Sequence, residues 1–291
     1  MKIAELQTCL MLHSSGKLME NSKYKKIFIS GASTGIGRQL AIDYGAQGAA
    51  LWLLARSESK LESLAAEIKS SGGTGRIMVC DATIEKEFLE TLALAQEESG
   101  GFDLVIANAG WGGKMKYPGE NNITVLNQVI DLNLKAATQT LEFFARFMVI
   151  AKKGHLVGVS SIAGFRGLPA GAAYSATKAA LISYLESLRF SVQSFGVLVT
   201  DIRPGFVRTP MTSQNKVPMP FLMDVDLASI KIRRAIERGR KRFAFPWQMA
   251  VLVHTLKALP DFFYDWVATK AFGKQAVSGR TGKSETNEAG E

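Results

Sequence analysis

Cysteine and histidine are scarce in this 291-residue chain, with two of the first (Cys9, Cys80) and three of the second (His13, His155, His254). Two cysteines cannot build a disulfide framework, and neither stands in a CxxC or a metal-ligand spacing with a histidine. No metal site is expected, and a reducing cytoplasm is the default location. The N-terminus also lacks a long apolar run. Residues 9–12 are continuously apolar, which is too little for the core of a signal peptide. The most apolar stretch, residues 246–259, has fourteen residues, whereas a membrane-spanning helix needs about 20.

Charge of one sign is in excess: 35 basic against 26 acidic residues, a net +9. Most of that excess sits in "KIRRAIERGRKR" at 231–242, which has seven basic side chains and one acidic. No stacking-aromatic pattern or DNA-binding motif accompanies it, so nucleic acid is not the expected partner.

An apolar content of 47% is enough to bury a full core in one large domain. Short runs that are apolar throughout ("KIFIS", "ALWLLAR", "FDLVIANAG", "GHLVGVSS", "VLVTDIRPG") alternate with helical stretches such as "GRQLAIDYGAQ", "EKEFLETLALAQEES" and "TVLNQVIDLNLKAATQTLEFFARFMVIA". Strands apolar on both faces and separated by helices predict a doubly wound α/β domain with a parallel sheet. That domain is expected over residues 24–245. Residues 1–23 read as a poorly ordered leader, 246–272 as an apolar, aromatic helical extension, and 273–291 as a disordered tail.

In such a sheet, chemistry belongs in the loops beyond the carboxyl ends of the strands. The first loop, "ISGASTGIG", has Gly31, Ser33, Gly35, Ile36 and Gly37. Its glycines permit a sharp turn and close approach, and the helix beginning near Ile36 aims free N–H groups at an anion such as a pyrophosphate. After the second strand come Arg56 and Ser57, where an NAD-preferring fold usually offers a carboxylate to the ribose. A guanidinium and a hydroxyl suit a 2′-phosphate instead. Farther on, Tyr174 and Lys178 stand four apart on one helix face, thirteen residues after Ser161.

Together with Asp81, the "NAG" of Asn108, Ala109 and Gly110, Asn133 in "DLNL", and "RPGFVRTP" from Arg203, these residues make the chain resemble the short-chain dehydrogenase/reductase family, over about residues 25–212. The resemblance implies a single Rossmann-like domain and an NADP(H)-dependent enzyme acting on a carbonyl or alcohol. Tyr174 would be its proton donor or acceptor, and Lys178 would lower the phenol's pKa and bind ribose. Ser161, rather than its neighbour Ser160, would hold the substrate oxygen, and Asn133 would anchor a water relay to the lysine. Asp81 would meet the adenine amino group; an Asp after a strand is also commonly a helix cap, and the two roles can coexist. Pro204 and Gly205 would fix a turn that brings Val207 and Thr209 to the nicotinamide carboxamide. Ala107 stands where many relatives have a second asparagine, and the histidines match no catalytic position.

Two other readings compete. A non-catalytic NADP(H)-binding regulatory or scaffold protein could keep the glycine loop and Arg56, but has no reason to keep Ser161, Tyr174 and Lys178 together. The apolar residues Met211, Val217, Met219, Phe221, Leu222 and Met223 suggest a lid for a lipophilic substrate. The basic run followed by the aromatic-flanked segment to residue 272 fits either of two partners. One is packing on the lid or on another subunit of a homodimer or homotetramer, as the family implies. The other is peripheral contact with the cytoplasmic leaflet of a membrane.

Overall fold

The apolar runs pair as expected, in a parallel sheet ordered β3-β2-β1-β4-β5-β6-β7. A computed structural model describes residues 22–113, 115, 122–168, 171–213, 219–266 and 269–270. Most of the expected leader, Val217 of the expected lid, and the tail lie outside the described residues. The strands are β1 (Lys26–Ser30), β2 (Ala50–Ala55), β3 (Thr74–Val79), β4 (Leu104–Ala107), β5 (Gly154–Val159), β6 (Val197–Pro204) and β7 (Arg242–Phe245). The helices are α1 (Gly35–Gly45), α2 (Glu58–Ser70), α3 (Glu85–Ser99), α4 (Asn122–Ile130), α5 (Ala136–Ala151), α6 (Ala172–Val192), α7 (Pro210–Ser213), α8 (Val225–Glu237) and α9 (Trp247–Ala258).

Two apolar layers sandwich the sheet because its central strands present buried side chains on both faces. Ile27, Ile29, Leu51, Leu53 and Ile106 pack with Leu40, Leu61, Leu64 and Ile232 on one side. Phe28, Val105 and Leu156 pack with Phe88, Leu141, Phe144 and Leu185 on the other. The order of strands reverses between β1 and β4, so the loops after these two strands flank the crevice where such folds hold ligands.

The long helix expected over residues 124–151 is instead two helices joined by a π turn, Asp131–Lys135, in which the Ala136 N–H reaches back to Asp131 O. Asn133, in the middle of this turn, is fully buried.

The basic run is not one solvated face. Arg233 is buried and its Nε donates to Asp43 Oδ2 at 3.2 Å, alongside Ser229 Oγ at 2.7 Å, pinning α8 to α1. The remaining cations lead into the first residue of β7, whereas α9 leaves from its last. Adjacent in sequence, the cations and the apolar helix are therefore separated by a strand about 13 Å long at ~3.3 Å per residue. Among the described residues, no helix is long and apolar enough to cross a membrane. At the end of the sheet where β5 begins, His155 Nδ1 lies 2.6 Å from Tyr24 Oη and Nε2 lies 2.7 Å from Thr200 Oγ1. Thr200 donates its one proton to Arg240 O, so the buried imidazole is assigned the Nε2–H tautomer.

Candidate active site

The loop after β1 turns through left-handed backbone at Gly31 (φ +67°) and Gly35 (φ +57°). A Cβ at Gly31 would lie 2.7 Å from Ala109 Cα, and one at Gly35 would lie 3.1 Å from Thr209 Cγ2. The loops after β1, β4 and β6 thus touch across the crevice with no room for a side chain between them. Asn108 fastens the first two, because its Nδ2 donates to Ser30 O at 3.2 Å and Gly31 O at 3.0 Å while its N–H donates to Ser30 Oγ. No side chain caps α1 at Thr34, and its first turn holds no carboxylate. The helix therefore ends in unclaimed donors and positive dipole, a setting that fits a dinucleotide pyrophosphate.

Arg56 follows β2 with its side chain 72% exposed, and NH1 lies 3.6 Å from Asp81 Oδ2 beyond β3. Ser57 starts α2 as its N-cap residue without a side-chain capping bond. Asp81 is not the cap of α3, a position held by Ile84. Its Oδ1 instead accepts from Thr83 N–H (3.0 Å) and Thr83 Oγ1 (2.8 Å), closing a tight turn. Burial alone would raise its pKa, but these bonds and Arg56 outweigh it and hold the carboxyl below its ordinary value.

Ser161 lies two residues beyond β5 and Tyr174 in the first turn of α6, so strand and helix deliver the two hydroxyls to one place, near enough for Ser161 to act on the phenol. Burial pushes the Tyr174 phenol up, against the pull of Ser161. The neighbouring Ser160 is committed elsewhere, donating to the Asp201 carboxylate and lying 3.2 Å from Ile202 O. Lys178, one turn beyond Tyr174, is buried, with Nζ 5.8 Å from the Tyr174 ring centroid and donating to Val159 O at 2.8 Å. Burial lowers its pKa to about 8 against the opposing pull of Asp201.

Asn133 meets the site through backbone. Its Oδ1 accepts from Trp111 N–H at 2.7 Å and its Nδ2 donates to Trp111 O at 2.8 Å. A Cβ on Gly110 would stand 3.3 Å from Asn133 Oδ1 and 3.5 Å from Lys178 Nζ, so these two polar groups border the same small gap. Gly205 N–H donates to Phe245 O at 2.7 Å, and Val207 is buried and bridges Met223. Met223, partly buried, therefore packs against the core, whereas Met211 and Phe221 are exposed.

Sequence reasoning missed three contributors. Trp111 offers its backbone to Asn133. Asp201 and Arg203 form a buried ion pair (2.6 Å) behind Ser160. Phe165 and Arg166, just after Ser161, grip the C-terminal segment. Among the described residues, no group of three His, Cys, Asp or Glu side chains could hold a metal.

Residues 25–218 match the family model described as short chain dehydrogenase. An uncharacterised oxidoreductase of Myxococcus xanthus is 40% identical over 255 residues, covering 87% of this chain and 99% of the relative. An uncharacterised oxidoreductase of Mycobacterium tuberculosis is 35% identical over 241 residues, covering 81% and 94%. Among solved structures, a short-chain dehydrogenase from Sphingobium yanoikuyae in complex with NADPH superposes with a TM-score of 0.72 at 22% identity, over 91% of this chain and 99% of that one. Levodione reductase gives 0.70 at 20% identity, over 78% and 98%. With the serine, tyrosine and lysine meeting beside an uncapped, glycine-lined helix start, the chain belongs to the short-chain dehydrogenase/reductase family of oxidoreductases.

Proposed function

We propose that the protein reduces lipophilic carbonyl compounds with NADPH, and oxidises the corresponding alcohols in reverse. The observation that carries this reading is the convergence of the Ser161 hydroxyl on the Tyr174 phenol, with Lys178 buried one turn away. A bound nicotinamide dinucleotide supplies the hydride. Gly31, Ser33, Gly35, Ile36 and Gly37 would hold its pyrophosphate against the start of α1, Arg56 and Ser57 its 2′-phosphate, and Asp81 its adenine. Asn108, Ala109 and Gly110 would form the floor, and Pro204, Gly205, Val207 and Thr209 would line the nicotinamide side.

Ser161 would orient the substrate oxygen by a hydrogen bond, and Tyr174 would donate its proton to that oxygen as negative charge develops there. A free phenol near pKa 10 gives up its proton slowly at neutral pH. The Lys178 ammonium stabilises the phenolate left behind and so favours the transfer. Asn133 and Lys178, bordering one gap beside Gly110, would reload Tyr174 through a water between them. The preference for NADP(H) rests on the exposed Arg56 guanidinium beside the carboxylate of Asp81, which a 2′-phosphate would compete with. The lipophilic substrate class rests on exposed Met211 and Phe221 beyond β6.

The test is NADPH oxidation by the purified protein with cyclohexanone, acetophenone and a long-chain methyl ketone. Turnover of at least one is expected, with Tyr174→Phe losing it while binding NADPH within about twofold of wild type. Near-normal turnover by Tyr174→Phe would remove the proton-transfer role.

A further inference from the structure

The loop after Ser161 holds the chain's C-terminal segment with three consecutive residues. Phe165 lies against His254 of α9, with ring centroids 4.5 Å apart. Arg166 NH1 approaches Leu256 O (3.3 Å), Lys257 O (3.1 Å) and Leu259 O (3.1 Å), while NH2 donates to Asp261 Oδ1 at 2.6 Å and the guanidinium stacks 4.2 Å from the Tyr264 ring centroid. Gly167 O accepts from the Tyr264 hydroxyl.

A helix leaves its last carbonyls without amide partners and with negative partial charge. Many helices close this end with a glycine in left-handed backbone, but α9 ends at Leu259 in extended conformation. Arg166, arriving from ninety residues earlier in the chain, takes over those carbonyls. Its planar fork of donors can meet several acceptors at once, which an ammonium cannot do with the same geometry.

The same loop is short and tied directly to the serine. Ser161 Oγ accepts from Ala163 N–H, Ser161 O accepts from Gly164 N–H, and Ile162 O accepts from Phe165 N–H. On its other side, Phe165 lies 5.0 Å from the Arg203 guanidinium, whose partner Asp201 also holds Ser160. The C-terminal segment is thus joined at one end to Arg166 and through four intervening residues to the serine hydroxyl.

We infer that Arg166 is a positioning residue through which the docked C-terminal segment sets the placement of Ser161. This rests on the reductase reading for its kinetic consequence but not for its structural one. With the segment released, the turn from Ser161 to Gly167 loses its outer anchor, and Ser161 meets the substrate oxygen in fewer encounters.

The test compares wild type, Arg166→Ala, Arg166→Lys and the surface pair Asp261→Ala/Tyr264→Phe by hydrogen exchange with NADPH present, together with kcat and KM on a ketone that wild type reduces. For Arg166→Ala, exchange is expected to rise both in residues 247–264 and in residues 161–168. Its kcat should fall about tenfold or more with NADPH affinity within about twofold, and Arg166→Lys should recover part of the loss. The surface pair should reproduce the rise at 161–168, which keeps the test open if Arg166→Ala does not fold. Increased exchange confined to 247–264, with 161–168 and kcat unchanged, would overturn the inference and leave Arg166 as a surface clasp. If wild type reduces no ketone, it is the reductase reading that fails, and exchange at 161–168 alone decides the role of Arg166.

Discussion

Asn108 Nδ2 donates to Gly31 O at 3.0 Å, so the side chain that ends β4 holds the backbone turn that ends β1. Gly37, in the first turn of α1, packs so closely that an added Cβ would contact Gly31 O and lie 2.5 Å from Asn108 Nδ2. Gly37→Ala must therefore push these loops apart. NADPH affinity is expected to fall at least tenfold, about 1.4 kcal/mol, as read by fluorescence titration. An unchanged dissociation constant would mean that this contact does not shape the cofactor crevice.

Arg56 is largely exposed and its NH1 comes no nearer to Asp81 than 3.6 Å, so it can turn toward a phosphate. Wild type should bind NADPH at least tenfold more tightly than NADH, and Arg56→Ala should remove most of that ratio while leaving NADH binding almost unchanged. Equal affinities for the two coenzymes in wild type would refute the preference.

Lys178 is half-deprotonated near pH 8, because burial lowers its pKa to about 8 despite the carboxylate of Asp201. Below that pH the ammonium is present, and above it the charge is lost. Reductase rate and NADPH affinity should therefore both decline as pH rises through about 8, following one proton. Lys178→Met should bind weakly at every pH, and a variant that kept the wild-type pH dependence would assign that dependence to another group.

His155 is held neutral in the fold: burial first, and Lys23 second, lower its pKa to about 3 from an ordinary 6.5. Between those values the unfolded chain binds a proton that the folded chain refuses. The stabilisation is therefore full above pH 6.5 and is lost as pH falls toward 3, at up to ~1.4 kcal/mol per unit. Urea unfolding of wild type and His155→Gln should give curves whose difference carries that slope. Parallel curves between pH 6 and 4 would count against it.

The parts of the site written as short spacings were legible in the sequence. Gly31, Gly35 and Gly37 lie within seven residues, and Tyr174 and Lys178 lie one turn apart, so local geometry alone brings each set together. Ser161 needed the family resemblance, since composition could not choose it over Ser160. The Asp201 carboxylate that occupies Ser160 comes from the neighbouring strand forty-one residues away. The Arg166 clasp was illegible for a related reason, because three of its partners are backbone carbonyls, which side-chain identity does not mark. The role of Arg233 within the basic run was not legible, because cations on a helix look alike until packing reveals that Arg233 faces Asp43.

The π turn at Asp131–Lys135 makes the site depend on chain length as well as on residue identity. One extra residue is accommodated in that turn relative to an α-helix, and it is there that Asn133 reaches the backbone of Trp111. Deleting Leu134 would let α4 run straight into α5 while drawing the asparagine away from Trp111, with every proposed catalytic side chain still encoded. Counting residues across this stretch in a relative thus reports on whether the Asn133–Trp111 contact is kept, where comparing their identities would miss the change.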